Sequence, residues 1–489
     1  MKQLFIQRGF HLILIALVSF VSLLFSSEEV GKIPITTQSR EALADFKTGR
    51  NLFENLQAQE SLKYFEHAIQ QDLDFALAHV YYAQAQPTLK GFFEEVNKAY
   101  ALKDKVSEGE KLWIEGLKAG VDGFPMKQRE CYQKMVQLFP NDERAYDLLA
   151  TNYFGTQEYQ TAIEYYNKAT TINPQFSQAY NQLGYAHRFL KNYQESEKAF
   201  QKYIELIPKD PNPYDSYAEL LMKIGKYDQS IEQYRKALEI NPNFVASHLG
   251  IATNLNFKEE HARAREQLAI LLNIARNVGE KRAALFAITV SLIDEGQLDL
   301  AIEEMHKQYK LAEEIKDYAN MSGDLAFIGT ILYEQGKYQE AKKNFDQALS
   351  VIESSDLSSE VKENNRRGLL YNAARIAIAE NDLAKAKSLT AELQQRAGKA
   401  NNTFQLWLTH ELAGNIAMIE KRYPDAVQEY QQANLQNPYN LYRLALACQG
   451  MGDITSAHDY CQQAAEHNTL NNPQYAFIRH KAKKLLTEM

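Results

Sequence analysis

The sequence predicts an all-α solenoid of stacked antiparallel helix pairs. Three observations predict it: prolines on a fixed period, paired apolar runs at helical spacing, and few helix breakers. Pro140, Pro174, Pro208 and Pro242 are each 34 residues apart. Between them the chain repeats itself, as in YQTAIEYYNKATTINPQ (159–175) and YDQSIEQYRKALEINPN (227–243). Self-similarity at such a period marks an array that grows in one dimension and so escapes the size limit on a single compact core. Among 489 residues only 12 are proline and 22 glycine, while 45% are apolar, which suits a folded helical chain and excludes general disorder.

At the start of the chain, Lys2 and Arg8 precede LILIALVSFVSLLF (12–25), and Ser26, Ser27, Glu28 and Glu29 follow it. A basic flank before an apolar run keeps the N-terminus in the cytoplasm and exports the body. Residues 1–27 therefore read as a signal peptide or a retained N-terminal membrane anchor. The run is short for a span, which takes roughly 20 residues, yet no small-x-small cleavage site is clearly written. The expected location is periplasmic or otherwise extracytoplasmic, with membrane contact only through this segment. Residues 28–38, carrying Gly31 and Pro34, read as a linker.

Residues 39–142 read as degenerate repeats, with Gly49, Ser61, Phe65 and Ala68 marking one unit. In VSEGEKLWIEGLKAG (106–120), Ser107 and Glu110 have capping-box spacing, and Trp113 and Leu117 share a face. A functional insert within 76–140 is the alternative. Residues 143–276 form the regular array. The second helix of each unit carries a small residue at Ala162, Ser196 and Ser230, an aromatic at Tyr166, Phe200 and Tyr234, then Ala169, Tyr203 and Ala237. The first helices offer Tyr146, Leu149, Ala150 and Tyr153, then Tyr180, Leu183, Gly184 and His187, then Tyr214, Tyr217, Ala218 and Leu221. Small residues let helix axes approach to about 8–10 Å, and aromatics fill the space beside them. One such pair cannot bury its own apolar face, so units must be stacked.

From Ala301 to Ala341 the step lengthens to 40, so residues 277–350 are expected to hold longer helices. Residues 351–472 continue the array through Gly414, Ala426, Tyr430, Ala433 and Pro438. Their polar start, SVIESSDLSSEVKENNRRG (350–368), reads as a long connection. Residues 473–489, with Lys481, Lys483 and Lys484 among apolar residues, read as a capping helix with one wet face.

The order aromatic, Leu, Gly/Ala, Tyr, then Ala, aromatic, Ala and Pro resembles the tetratricopeptide repeat, most closely over 143–242 and with drift over most of 40–470. The resemblance implies a right-handed superhelix whose first helices line a concave groove for a peptide or partner protein. The positions that such proteins use are here Arg144, Asp147, Thr151 and Phe154; Gln178, Asn181, Tyr185, Arg188 and Phe189; Asn212, Asp215, Glu219, Met222 and Lys223; and Thr253, Asn256 and Phe257. The basic set with which some relatives clamp a C-terminal carboxylate is not reproduced, because Asp147, Asn181 and Asp215 hold the fifth positions.

Chemistry is poorly represented. A net charge of −8 without a basic stripe excludes nucleic acid as a partner. No phosphate loop, HExxH, GxSxG or dinucleotide-binding pattern occurs, so no catalytic residue, cofactor or metal site is expected. His187 reads as a satisfied core histidine, and His458 lacks companions for a metal site. Cys448 and Cys461 fall on facing helices of one hairpin, as packed small hydrophobes or as a disulfide, with Cys131 left over. The functional expectation is a non-enzymatic interaction scaffold or adaptor. The alternatives are a membrane-anchored sensory or regulatory ectodomain and, in a different class, an enzyme with its site in 76–140.

Overall fold

The paired apolar runs are helices in the computed structural model, which describes residues 30–489. The targeting segment expected at 1–27 lies outside the described residues. Among those residues there are 25 α-helices and no strand. The early hairpins are α1 (Arg40–Glu54) with α2 (Ala58–Gln71), α3 (Ala76–Ala85) with α4 (Leu89–Ala101), and α5 (Glu108–Val121) with α6 (Pro125–Leu138). The regular array is α7 (Glu143–Gly155) with α8 (Tyr159–Ile172), α9 (Ser177–Phe189) with α10 (Tyr193–Leu206), α11 (Asn212–Lys223) with α12 (Tyr227–Ile240), and α13 (Val245–Phe257) with α14 (His261–Ile274). Longer hairpins follow: α15 (Val278–Asp294) with α16 (Leu298–Glu314), α17 (Tyr318–Glu334) with α18 (Tyr338–Glu353), and α19 (Ser359–Ala379) with α20 (Leu383–Lys399). The last pairs are α21 (Thr403–Ile419) with α22 (Tyr423–Gln432) and α23 (Pro438–Met451) with α24 (Ile454–Ala465), before a single closing helix, α25 (Pro473–Glu488).

Local chemistry sets the helix ends. Pro140, Pro174, Pro208 and Pro242 each stand two residues past α6, α8, α10 and α12, where the pre-proline residue must leave the helical region. Ser107 completes the expected capping box with Glu110. Within the hairpins, a residue just past the first helix adopts positive φ and closes it: Gly225, Gly296 and Gly336 do so freely, whereas Gln157, Lys191, Glu259 and Lys421 do so against a cost of about 1–2 kcal/mol. The Schellman bonds Asn192 N–H to His187 O and Glu260 N–H to Leu255 O, each 2.9 Å, help to offset it.

Packing follows the small/aromatic code. Ala162, Ala169 and Ala237 are wholly buried, as are Tyr166, Phe200 and Tyr234. A Cβ on Gly184 would lie 2.4 Å from the Phe200 ring, and one on Gly414 2.5 Å from Tyr430, so only glycine admits the ring there. Serine substitutes for alanine at 196 and 230 because each Oγ donates to a carbonyl of the facing helix, Gly184 O and Ala218 O, at 2.7 Å. Buried hydroxyls with partners carry little penalty.

Several details differ from expectation. Residues 359–368 belong to α19, capped by Ser358, so the connection after α18 is short. Residues 76–140 hold two further hairpins of the stack. His79 and Glu95 there meet at 2.6 Å in a buried contact, and the other Glu95 oxygen takes the largely exposed Lys98. Cys448 and Cys461 are both buried and not joined in this structure, the Cys461 thiol facing Ala482 O at 3.3 Å. His187 is not satisfied: its Nδ1 is buried without a partner, and burial lowers its pKa.

The largest departure is at long range. Hairpin turns and adjoining helix ends of early units meet the connections and helix ends of later units, 150 to 280 residues away. Gln57 donates to Asp210, Arg276 to Glu60, and the Lys90 amide to Asp317. Asn402 reaches Gly123 O, Gln157 reaches Asn434, and Lys191 reaches Gln463. The superhelix is therefore wound until successive windings touch edge to edge. Helix α25 completes this contact by lying against α15 as well as α23 and α24. Its Arg479, 1% exposed, bonds Asp294 and Glu259. Among the described residues, no helix is long and apolar enough to cross a membrane.

Candidate protein-interaction surface

The first helices of successive hairpins present their inner positions in a row, and the expected contact residues lie there. In α7, Arg144 makes a two-pronged contact with Glu54, 2.7 and 2.9 Å, and a third bond to Glu143. Beside it Asp147 is buried. Its Oδ2 accepts from Gln178 at 3.3 Å, while its Oδ1 has no donor. Burial, reinforced by Glu54, pushes the Asp147 carboxyl up to about 7. Thr151 is exposed, its hydroxyl 3.1 Å from Tyr166. Phe154 stands edge-on to Tyr159 and Phe189, and those two rings stack at 4.9 Å.

In α9, Asn181 occupies the position equivalent to Asp147, and its Oδ1 likewise has no partner. Tyr185 and Arg188 are committed: both bond Glu219 of α11, at 2.8 and 3.0 Å, with the guanidinium over the Tyr185 ring. In α11, Asn212 donates to Tyr203 OH, and Asp215 accepts from Ser247 at 2.7 Å. Burial, with Glu219 adding to it, raises Asp215 well above the usual carboxylate range.

Further along, the chain covers its own inner face. Met222 and Phe257 are buried in a cluster with Leu441, Tyr475 and Ile478. The Lys223 ammonium bonds His467 O, and burial beside Arg188 and Lys191 pushes it down to about 7. Asn256 accepts from Ser291 at 2.8 Å and gives its carbonyl to Arg479, while Thr253 bonds Leu249 O. The expected groove is thus divided. Its α7 and α9 part keeps acceptors without donors; its α11 and α13 part meets residues 435–479. Between the two, Arg188, Phe189, Lys191, Lys223 and His467 line a cleft of about 410 Å³ at the seam between windings.

Sequence reasoning missed a second polar cluster on later first helices. Glu411, 2% exposed, takes Tyr371 OH at 2.6 Å and Arg443 at 2.7 Å. Arg375 lies over the Tyr333 ring at 4.2 Å. The available signal was a lone arginine inside an apolar helix, as in LYRLALA (441–447). Such a residue needs a buried partner.

Comparison with known proteins fits this architecture. Models described as tetratricopeptide repeat match residues 143–176, 177–210 and 325–354, and one described as TPR repeat matches 218–253. No curated protein matches the chain. Among solved structures, two crystal structures of MamA are similar at 22% and 23% identity. They cover 36% and 32% of this chain and 94% and 92% of their own, with TM-scores of 0.29 and 0.28, too loose an overlay for inference. The register of prolines and the twelve stacked hairpins agree with these matches, and the chain carries tetratricopeptide repeats at 143–210, 218–253 and 325–354.

Proposed function

We propose that the protein is a non-enzymatic scaffold that holds a peptide segment of a partner protein on the inner face of α7 and α9. Repeats of this kind are as a rule interaction modules, and stacked first helices supply an extended surface. One observation carries the reading. Asp147 Oδ1 and Asn181 Oδ1, at the same place in adjacent repeats, are buried acceptors without donors. Buried polar atoms are nearly always paired, and a peptide backbone presents N–H donors along its length. Exposed Thr151 and the half-buried Phe154–Phe189 pair lie on the same two helices.

The test is capture of partner proteins by the exported body, with and without Asn181→Ala. Tyr185 and Arg188 are unsuitable targets, because their loss would strand Glu219. Capture that survives both Asn181→Ala and Gln178→Ala sinks the proposal. A second reading rests on the basic and apolar N-terminal segment: a scaffold tethered to the outside of a membrane, reporting to a neighbour there. N-terminal sequencing of the membrane-bound and soluble forms decides whether residues 1–27 are kept.

A further inference from the structure

We propose that Glu259, His261, Asp294 and His480 form a binding site for one divalent transition-metal ion of the zinc type, which clasps the closing helix to the inner winding. The four residues come from three places: the α13–α14 hairpin, the end of α15, and α25. Each offers one donor atom, and these atoms all lie within 4.8 Å of one another. His261 Nε2 is 2.9 Å from Asp294 Oδ2 and 4.0 Å from Glu259 Oε2, and His480 Nε2 is 3.7 Å from the same Glu259 oxygen. A tetrahedral zinc ion with bonds of about 2.0–2.1 Å has ligand–ligand edges of roughly 3.3 Å. The observed separations bracket that edge.

The competing reading is a salt-bridge cluster complete in itself, since Arg479 bonds both carboxylates and Lys483 lies 3.5 Å from Glu259. The division of oxygens argues for more. Arg479 Nη1 takes Glu259 Oε1 at 2.8 Å and its Nε takes Asp294 Oδ1 at 2.8 Å. Glu259 Oε2 is left facing two imidazoles. Asp294 Oδ2 is shared between His261 and the Arg479 Nη2 at 2.5 Å. Glu259, held through Oε1 with Oε2 free, has the hydrogen-bonded orientation usual for a ligating carboxylate, whereas Asp294 is held by Arg479 through both oxygens. His480 Nε2 also stands 3.1 Å from the Arg479 guanidinium. Glu259 and His480 are each 49% exposed, which gives the ion an entry path and the ring room to turn. Two imidazoles with two carboxylates suit zinc, cobalt(II) or nickel(II) over magnesium or calcium, which prefer oxygen alone.

The experiment titrates the full chain, stripped with chelator, with cobalt(II) and zinc. Expected are one equivalent of cobalt(II) showing the intense visible bands of a tetrahedral site, their displacement by zinc, and a zinc-dependent rise in melting temperature. His480→Ala and Glu259→Gln should abolish all three while leaving the metal-free melting temperature within a few degrees. His306→Ala, at an exposed position on α16, should leave them intact. Absence of saturable binding overturns the proposal, as does binding that survives both ligand variants.

Discussion

Asp147 is held in a place that suits its acid and not its anion. Its carboxyl is raised from 3.8 to about 7 by burial and by Glu54. Between pH 4 and 7 the folded chain keeps a proton that the unfolded chain has released, so stability falls as pH rises through that window and stays lower above it. At about 1.4 kcal/mol per pKa unit, the effect is bounded at about 4 kcal/mol. Asp147→Asn should therefore raise the melting temperature at pH 8 and change it little near pH 4. A variant that melts like wild type at pH 8 would show that the carboxylate is not strained. Lys223, lowered to about 7, acts in the opposite direction above neutrality, so the difference between variant and wild type isolates Asp147 better than the raw pH profile. Sequence placed Asp147 and Asn181 on the inner face through the repeat register alone. That neither Oδ1 would find a donor was not legible, because it depends on neighbours from other hairpins.

At the level of the hairpin, the sequence was most readable. Prolines, glycines and aromatics act within a single unit, where a fixed spacing becomes a fixed contact. Ala237, buried where α12 meets its neighbours, should tolerate no larger side chain: Ala237→Leu is expected to cost about 1–3 kcal/mol in chemical denaturation. The turns offer the converse. Lys421 is exposed and sits at φ 58°, so Lys421→Gly should stabilise by about 0.5–1 kcal/mol, the relieved strain exceeding the entropy that glycine adds to the unfolded chain. A loss of stability there would mean that the lysine makes a contact worth more than its strain. The polar stretch 350–368 was misread for a local reason: Ser358 caps a helix whose first ten residues bury only Val361 and Arg367 among many polar neighbours.

Across the whole molecule, the winding of the array was invisible in the sequence. A small rotation per hairpin, summed over several units, decides whether distant edges meet, and no motif records that sum. Arg479 is the residue on which the closure can be tested. Arg479→Ala leaves Asp294 buried without its guanidinium, a loss of about 3–5 kcal/mol if the final helix stays docked. The expected result is a lower melting temperature together with a larger radius of gyration by small-angle scattering. An unchanged radius would show that the polar contacts between windings suffice without it. Those contacts have a mechanical consequence. A coil whose adjacent rings are tied by single bonds such as Gln57–Asp210 and Gln157–Asn434 lengthens in two regimes under tension. The ties yield first, at low force and reversibly, and the hairpins unravel only afterwards, so the molecule would behave as a shock absorber between whatever is fastened to its ends.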